Sequence, residues 1–184
     1  MLRKLALVGV LTAMLLAATG GSALANYDYL LAPTTVCPGQ NNLALSASTQ
    51  EGIMRCMHNY ARRKAGRAGL FSSGALATSS DGKTGDILRC QQFSHTACGR
   101  DFLYHFRRVG YTSSGCWGVG ENIAWGSGST ASPRAIMRAW LNSTGHRDNI
   151  LKGSFRDFGA GMRRGTLFGY RGVEVWTAHF GYRC

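Results

Sequence analysis

The stretch that decides the fold lies at residues 93–151 and contains FSH (93–95), GENIAW (120–125) and WLNSTGHRDNIL (140–151). These three motifs hold two histidines and one glutamate, His95, Glu121 and His146, each next to glycine, serine or asparagine. Such neighbours are typical of loops and element ends, where side chains that are distant in sequence can converge on a cleft. The pattern therefore predicts a shared site built from these three side chains.

An N-terminal targeting segment precedes this region. Arg3 and Lys4 stand before an apolar run, and Ala23 and Ala25 supply the small residues that a signal peptidase reads. The apolar run is shorter than the roughly 20 residues that a membrane span needs. We therefore expect three parts: a secretory signal peptide at residues 1–25, an irregular lead-in at 26–47 and one domain at 48–184.

The composition bounds the class of protein. The chain has 184 residues, 45% of them hydrophobic, which is ordinary for one globular domain. Without Arg3 and Lys4, 19 of the 21 basic residues remain against 9 acidic ones. This excess predicts affinity for anionic surfaces such as cell-wall polymers, phospholipid or nucleic acid. The arginines are spread along the chain, so we expect a basic secreted protein rather than a dedicated nucleic-acid binder.

Six cysteines follow the targeting segment. Their number is even and the secretory route is oxidising, which favours three disulfides. Spacing alone does not choose among the many ways in which six cysteines can pair. The pairing that we expect is Cys37–Cys56, Cys90–Cys98 and Cys116–Cys184. The second bridge would close a short loop around His95.

Helix signals are clear in three places. Ser48 and Glu51 form a capping-box pattern at the start of a helix predicted for residues 49–65. A second helix is expected at residues 99–109, with Phe102, Phe106 and Val109 facing inward. A third is opened by Ser132 and Pro133. Its buried stripe comprises Ile136, Met137, Trp140 and Leu141, and a short helical turn follows at residues 146–151.

Residues 69–90 carry a weaker helix signal. Gly82 and Gly85 lie in this segment, and a glycine inside a helix is about 1 kcal/mol less favourable than an alanine. We therefore predict a poor helix or a turn here.

Strand patterns dominate the C-terminal part, at residues 158–163 and 173–180, and a further strand is expected at 119–125. In the last strand, apolar residues occupy both faces, which predicts a sheet covered on both sides. With helices before and between the strands, the order of elements predicts an α+β fold, a three-layer α-β-α sandwich around a small antiparallel sheet.

The motifs at residues 93–151 resemble those of the CAP superfamily, which comprises cysteine-rich secretory, antigen 5 and pathogenesis-related 1 proteins. The likeness is to its bacterial SCP-like branch and spans about residues 51–183. This resemblance implies the CAP fold for the domain at residues 48–184, in agreement with the residue patterns.

The resemblance also implies roles for individual residues. His95 matches the histidine before the family's GEN strand, Glu121 matches the GEN glutamate, and His146 matches the histidine of the later Gly-His motif. These three are the candidate catalytic residues. The candidate ligand-binding residues are His95, Glu121, His146, Ser94, Asn122 and Asn149.

One position departs from the family pattern. The family's second glutamate would fall at Ser143, whose hydroxyl cannot supply a negative charge. Some family members hold a divalent metal through the two histidines, so the resemblance implies His95 and His146 as ligands of an ion such as zinc. A catalytic zinc usually has three protein ligands, whereas this sequence offers two histidines and one carboxylate, Glu121.

Two functions remain open. The first is a secreted binding module whose His/Glu cleft takes a small apolar or anionic ligand at the cell envelope. The second is a metal-assisted hydrolase that acts on peptide or cell-wall polymer through His95, Glu121 and His146. The chain contains no GxSxG, HExxH or P-loop motif, and we expect the binding module. We also expect a monomer with no membrane span after removal of the signal peptide.

Overall fold

The architecture is a four-stranded sheet between two helical layers, seen in a computed structural model that describes residues 27–113 and 115–184. The expected signal peptide at residues 1–25 lies outside the described residues. In chain order the elements are α1 (Ala47–Lys64), β1 (Phe71–Ser72), α2 (Gly74–Cys90), α3 (Tyr104–Arg108), β2 (Trp117–Ser127), α4 (Pro133–Leu141), α5 (Thr144–Leu151), β3 (Asp157–Leu167) and β4 (Tyr170–Arg183). Within the part of the chain that the structure describes, no helix has the length and apolar character needed to cross a membrane.

The strands lie in the order β1-β3-β4-β2. β4 is antiparallel to both of its neighbours, with His179 opposite Glu121 of β2 and Phe180 opposite Phe158 of β3. β1 pairs with β3 in parallel, over two residues only. The predicted α+β sandwich is confirmed, but the sheet is mixed rather than purely antiparallel, because the chain between α1 and α2 adds a short strand at the edge.

One face of the sheet is covered by α1, α4 and α5 and holds the largest apolar cluster. Ser132 caps α4 by accepting the N–H of Ala135, and Pro133 occupies the first turn, as predicted. The expected stripe of α4 is buried: Ile136, Met137, Trp140 and Leu141. It packs with Met54 and Met57 of α1 and with the aromatic side chains of the sheet. Each large apolar side chain buried in this way contributes about 1.5–3 kcal/mol.

The opposite face is covered by α2, which lies directly on the strand backbone. A Cβ on Gly159 would lie 2.1 Å from the backbone N of Ala77, and one on Gly161 would lie 2.4 Å from the backbone N of Asp81. The short distance lets helix side chains bond to the strand, and Ser80 Oγ donates to Gly159 O at 2.9 Å. Thr84 Oγ1 extends this contact by donating to Thr177 Oγ1 of β4 at 2.9 Å.

The prediction of a poor helix or turn at residues 69–90 is therefore wrong. Packing on the sheet offsets the low helix propensity of the glycines, since most helix stability in proteins comes from tertiary contacts. Gly82 has a packing reason, because a Cβ there would lie 2.7 Å from His105 Nδ1. Gly85 faces the guanidinium of Arg163 at 3.4 Å. These glycines let neighbouring groups approach the helix.

The start of α1 also differs from the prediction. Ser46, not Ser48, is the N-cap, and its Oγ accepts the N–H of Thr49 at 3.2 Å. Glu51 forms no capping box, and its carboxylate instead accepts the N–H of Met162 at 2.9 Å. The carboxylate of Glu51 thus provides a hydrogen-bond acceptor for a backbone N–H at the edge of β3, where β1 is too short to provide one.

The helix predicted at residues 99–109 is much shorter. Only Tyr104–Arg108 is helical, because Asp101 forms a turn in which its Oδ1 accepts the N–H of Leu103 at 2.9 Å. Phe106 is buried as expected, whereas Phe102 is 37% exposed. A side chain that was expected to face inward therefore lies at the surface.

The three disulfides pair as expected: Cys37–Cys56, Cys90–Cys98 and Cys116–Cys184. The first joins the lead-in to α1, the second fastens the loop around His95 to the end of α2, and the third joins the start of β2 to the end of β4. No cysteine in the described part of the chain is free.

Candidate functional site

Glu121 is the central residue of the site and lies on β2 beneath α2. Its side chain is 2% exposed. One carboxylate oxygen accepts from His95 Nδ1 at 2.6 Å and the other from His179 Nε2 at 2.7 Å. Burial would raise the pKa of Glu121, but hydrogen bonds from His179 and His95 and the charge of Lys83 hold that pKa at about 2. The carboxylate is therefore ionised at neutral pH, and both of its oxygens are engaged.

His95 lies between the solvent and this carboxylate. It belongs to the loop that the Cys90–Cys98 disulfide closes, and Gln92 Oε1 braces the loop by accepting the N–H of Cys98 at 2.7 Å. The His95 side chain is 50% exposed. Because Nδ1 is bonded to Glu121, Nε2 is the ring nitrogen that a ligand or water would meet.

His179 is a member of the site that the sequence analysis did not identify. It is fully buried on β4, and its Nδ1 lies 2.8 Å from Ser79 Oγ. Burial lowers the pKa of His179, against the hydrogen bond and charge of Glu121. A neutral ring that donates from Nε2 to Glu121 accepts at Nδ1 from the Ser79 hydroxyl. The sequence contained a clue to the burial of His179. Alternate residues of a strand share one face, so His179 lies on the same face as the apolar Val173 and Val175.

Lys83 is the second residue that the sequence analysis missed. It projects from α2 with a side chain that is 4% exposed, and its Nζ lies 4.0 Å from Glu121 Oε1. Burial lowers the pKa of Lys83, while the charges of Glu121 and Asp86 raise it. Predicting a poor helix or a turn instead of a stable α2 concealed this residue, because only the packed helix places Lys83 over the sheet.

His146 lies at the other side of the β2 edge, on α5. Its Nδ1 lies 2.9 Å from Ser143 Oγ, so the serine at the position where the resemblance implies a glutamate bonds to the histidine. Burial and then the charge of His95 lower the pKa of His146, which favours its neutral form. Among the hydrogen bonds of the described chain, none joins His146 to His95 or Glu121. The structure therefore brings His95 and Glu121 into direct contact and leaves His146 nearby as a separate group.

The three supporting residues brace the site. Asn149 Nδ2 donates to Glu121 O at 3.2 Å and to Asn122 Oδ1 at 2.9 Å, and Asn122 Nδ2 donates to His146 O at 3.0 Å. These bonds fasten α5 to the outer edge of β2, where strand carbonyls would otherwise lack partners. Ser94 Oγ accepts the N–H of Thr96 at 3.1 Å and shapes the turn before His95.

An open hollow of about 270 Å³ lies over this edge of β2. Its walls are mainly apolar and include Phe93, Ile123, Trp125, Ala139 and Trp140, with Ser143 and His146 as polar groups. Among the described residues that line it, none is acidic. The hollow therefore offers a largely aromatic surface beside two neutral hydrogen-bonding side chains.

The donor set does not fit a three-ligand metal site. Both oxygens of Glu121 accept histidine N–H groups, and Ser143 stands where the family has a glutamate. Across residues 27–113 and 115–184, no group of three or more histidine, cysteine, aspartate or glutamate side chains is arranged to hold an ion. Of the expected metal ligands, His95 and His146 remain as a pair without a third partner.

Comparison with known proteins identifies the family. The sequence model of the cysteine-rich secretory protein family (CAP) matches residues 56–180, more than half of the chain. An uncharacterised protein of Bacillus subtilis (strain 168), YkwD, is 29% identical over 139 residues, which is 73% of this chain and 48% of YkwD. The chain thus spans about half the length of this curated relative.

Solved structures share the fold. An extracellular protein containing a SCP domain from Bacillus anthracis str. Ames has a TM-score of 0.56 and 24% identity, over 74% of this chain and 43% of that one. An outer surface protein from Borrelia burgdorferi has a TM-score of 0.64 and 16% identity, over 76% and 97%. A cysteine-rich secretory protein from Staphylococcus aureus has a TM-score of 0.54 and 15% identity, over 74% and 39%. With the family match over residues 56–180, the resemblance seen in the sequence is confirmed, and the chain belongs to the cysteine-rich secretory protein (CAP) family.

Proposed function

We propose that this chain is an extracellular binding module whose hollow over β2 takes a small ligand with an apolar body and one anionic or acceptor group. The targeting pattern at residues 1–25, the three disulfides and the basic composition support action at the cell envelope. Two of the proteins with similar structures are an extracellular protein and an outer surface protein, which agrees with this placement.

The observation that carries the proposal is the chemistry of the hollow. Trp125, Trp140 and Phe93 supply apolar surface, and ligand pockets combine such surface with a few placed polar groups. Ser143 and His146 are those groups, and neither brings a negative charge. The family pattern would add a carboxylate at this place, which would repel an anionic ligand. The substitution at Ser143 therefore favours a ligand with a carboxylate, phosphate or carbonyl head.

Glu121 has a positioning role in this proposal. Its carboxylate is buried and bonded on both oxygens, so it has no free acceptor to offer. It orients His95 so that Nε2 faces outward at the rim of the site. The ligand would contact His95 and His146. Glu121 would fix the orientation of His95 and is itself bonded to His179.

A titration with dodecanoate and with dodecanol tests the proposal, with tryptophan fluorescence as the readout because two tryptophans line the hollow. We expect dodecanol to bind, and dodecanoate to bind more tightly as the pH falls, because protonation of His146, whose pKa is lowered by burial and by the charge of His95, adds a positive charge beside the carboxylate. Ala139→Phe fills the hollow and should weaken both by about tenfold or more. Ala47→Phe, an exposed alanine on α1, is the matched control. Absence of binding, or binding that Ala139→Phe does not change, would contradict the proposal.

A hydrolase acting on peptide or cell-wall polymer is the second candidate function. It is favoured by the His95–Glu121 pair, in which a buried ionised carboxylate holds Nδ1 and leaves Nε2 exposed, an arrangement suited to a general base. The test is release of soluble fragments from isolated cell walls and from casein. Activity that His95→Gln abolishes and Asp148→Asn, at an exposed position on α5, leaves unchanged would support the hydrolase.

A further inference from the structure

A second surface lies beside the hollow and is formed by exposed aromatic side chains. Phe93 is 37% exposed, Phe168 is 52% exposed and Tyr170 is 62% exposed. The ring centroid of Trp125 lies 6.3 Å from that of Phe168 and 5.8 Å from that of Tyr170, and Trp125 lines the hollow together with Phe93. Exposed aromatic rings gathered in one patch are uncommon on a protein surface and mark binding sites. We call these four residues the aromatic platform.

An open depression of about 510 Å³ lies between the platform and the His95 loop. It is lined by Gln91, Gln92, Phe93, Ser94, Thr96, Gly99 and Phe168. None of these lining residues is charged, although the chain carries 21 basic and 9 acidic residues. The depression therefore suits a ligand that is itself uncharged.

The backbone around the depression is held in an unfavourable conformation. Phe168 has a φ of 52°, and Gln91 also has a φ of 52°, in a region that side chains other than glycine, asparagine and aspartate rarely adopt. The two residues support each other, because the N–H of Phe168 donates to Gln91 Oε1 at 2.8 Å and Gln91 Nε2 donates to Thr166 O at 2.8 Å. A hairpin turn at residues 168–169 would favour Asn-Gly over Phe-Gly. Phe168 therefore exposes its ring from a turn position that disfavours phenylalanine. Backbone strain of this kind is found at functional sites.

We propose that the aromatic platform and this depression bind an uncharged glycan chain. A pyranose ring has a face of C–H groups that stacks on an aromatic ring and a rim of hydroxyls that bond to amide and hydroxyl side chains. Trp125, Phe168 and Tyr170 supply the rings. Gln92, Ser94 and Thr96 supply the polar groups. Gln92 Oε1 accepts the N–H of Cys98, and its amide NH2 is the group offered to a ligand.

Other occupants fit less well. An anionic membrane surface would need lysine or arginine in the lining, and none is present among the described residues that form it. A lipid tail would need an enclosed apolar channel, whereas this depression is open and about half polar in its lining. The proposal does not rest on the small-ligand hollow, since it uses different residues apart from Phe93 and Trp125.

The test is calorimetric titration with cello-oligosaccharides and with β-1,4-linked N-acetylglucosamine oligomers, which separate a plain hexose ligand from an N-acetylhexosamine one. We expect at least one series to bind, and Phe168→Asn and Tyr170→Ala each to weaken that binding by about tenfold. Asparagine tolerates a positive φ, so Phe168→Asn should keep the turn and its thermal stability while it removes the ring.

The matched control is Phe71→Ala, which removes an aromatic side chain that is 70% exposed on β1, away from the platform. Its glycan affinity should equal that of the unaltered chain. Ala139→Phe, which blocks the hollow, should leave glycan binding unchanged, and this separates the two proposals. Failure of both series to bind would overturn the glycan proposal. So would equal affinity in Phe168→Asn and Tyr170→Ala, or binding of the platform to anionic phospholipid vesicles in place of either oligosaccharide.

Discussion

The two fully buried histidines, His58 and His179, lie on opposite faces of the sheet and have opposite surroundings. On the face covered by α1, the His58 ring lies 4.6 Å from the ring of Phe158 and 5.5 Å from that of Phe180. Its Nδ1 donates to Met54 O at 2.8 Å, and in the described structure its buried Nε2 has no partner. On the face covered by α2, both ring nitrogens of His179 are hydrogen bonded.

The two histidines differ in whether a carboxylate lies beside the ring. Burial lowers the pKa of His58 to about 4, and no acid opposes it. Burial also lowers the pKa of His179, but Glu121 acts in the opposite direction. The α1 face is an apolar core that contains a neutral imidazole, whereas the α2 face holds an ionised carboxylate, a lysine and bonded hydroxyls. An unpaired charge next to His58 would be costly in this apolar interior, whereas the carboxylate of Glu121 beside His179 is paired with two histidines and Lys83.

The largest expected effect is the loss of the carboxylate from the α2 face. Glu121→Gln removes the stronger of the two negative charges that act on buried Lys83, leaving only Asp86, and makes one histidine bond unfavourable. Breaking a buried ion pair in this way costs about 3–5 kcal/mol, measured as the free energy of unfolding in urea. Asp81→Asn, which removes a half-exposed partner of Arg163, is the control and should change stability little. Similar losses in the two variants would mean that the buried network contributes no more than a surface pair.

The next effect concerns how closely α2 approaches the sheet. Gly161→Ala places a methyl group 2.4 Å from the backbone of Asp81, and the helix must move off the strand to accommodate it. We expect a loss of about 3 kcal/mol, the upper end of the usual range for over-packing, with a matching fall in melting temperature. Gly165→Ala, on the same strand, meets only the flexible side chain of Leu88 at 3.0 Å and should be milder. Equal losses would show that α2 is free to shift.

The third prediction uses acid to probe the α1 face. The folded pKa of His58 is about 4, below its ordinary 6.5, so the neutral ring is favoured by folding and the associated stability is complete above pH 6.5. It declines as the pH falls from 6.5 towards 4, by about 2–3 kcal/mol.

The contribution of Glu121 has a lower window. Its pKa is depressed from 4.5 to about 2, so that contribution declines only below pH 4.5. Unfolding free energies at pH 7, 5.5 and 4.5 should therefore fall less in His58→Leu than in the unaltered chain. An unchanged pH slope in His58→Leu would refute the assignment to His58.

The smallest expected changes in stability are at two glycines of α2, Gly82 and Gly85. Gly82→Ala adds about 1 kcal/mol of helix propensity but forces a methyl group against the ring of His105, which is held by Asp86 at 2.9 Å. We expect a net loss of about 1–2 kcal/mol. Gly85→Ala meets only the end of the Arg163 side chain, so the propensity gain should prevail and raise the melting temperature. The opposite signs are the result to look for, and a gain in both would remove the packing reason for Gly82.

Local pattern was sufficient for part of the site. His95 and Glu121 lie in motifs with glycine and serine neighbours, and the structure joins them by a hydrogen bond of 2.6 Å. The helix cap at Ser132, the buried stripe of α4 and the hairpin between β3 and β4 also follow local rules of capping and periodicity. Such features depend on residues close in sequence, so they can be predicted without the fold.

Other parts of the site depend on contacts between distant residues. Lys83 reaches Glu121 only because α2 is helical, and α2 is helical only because Gly159 and Gly161 leave room for it on the sheet. His179 is a partner of Glu121 because β4 lies beside β2, where the two residues are directly opposite. Propensity argued against the helix, and no short-range pattern joins residues that are 58 positions apart.

The sequence by itself determined the α+β class, the family, the carboxylate of Glu121 and one of its three partners, His95. These depend on motif, periodicity and composition, which are properties of neighbouring residues. The tertiary structure alone decided that residues 74–90 form a helix, that Glu121 is saturated by His95, His179 and Lys83, and that His146 stands apart with Ser143. The physical reason is that burial and close backbone packing set these energies, and both arise only when α2 and the strands meet.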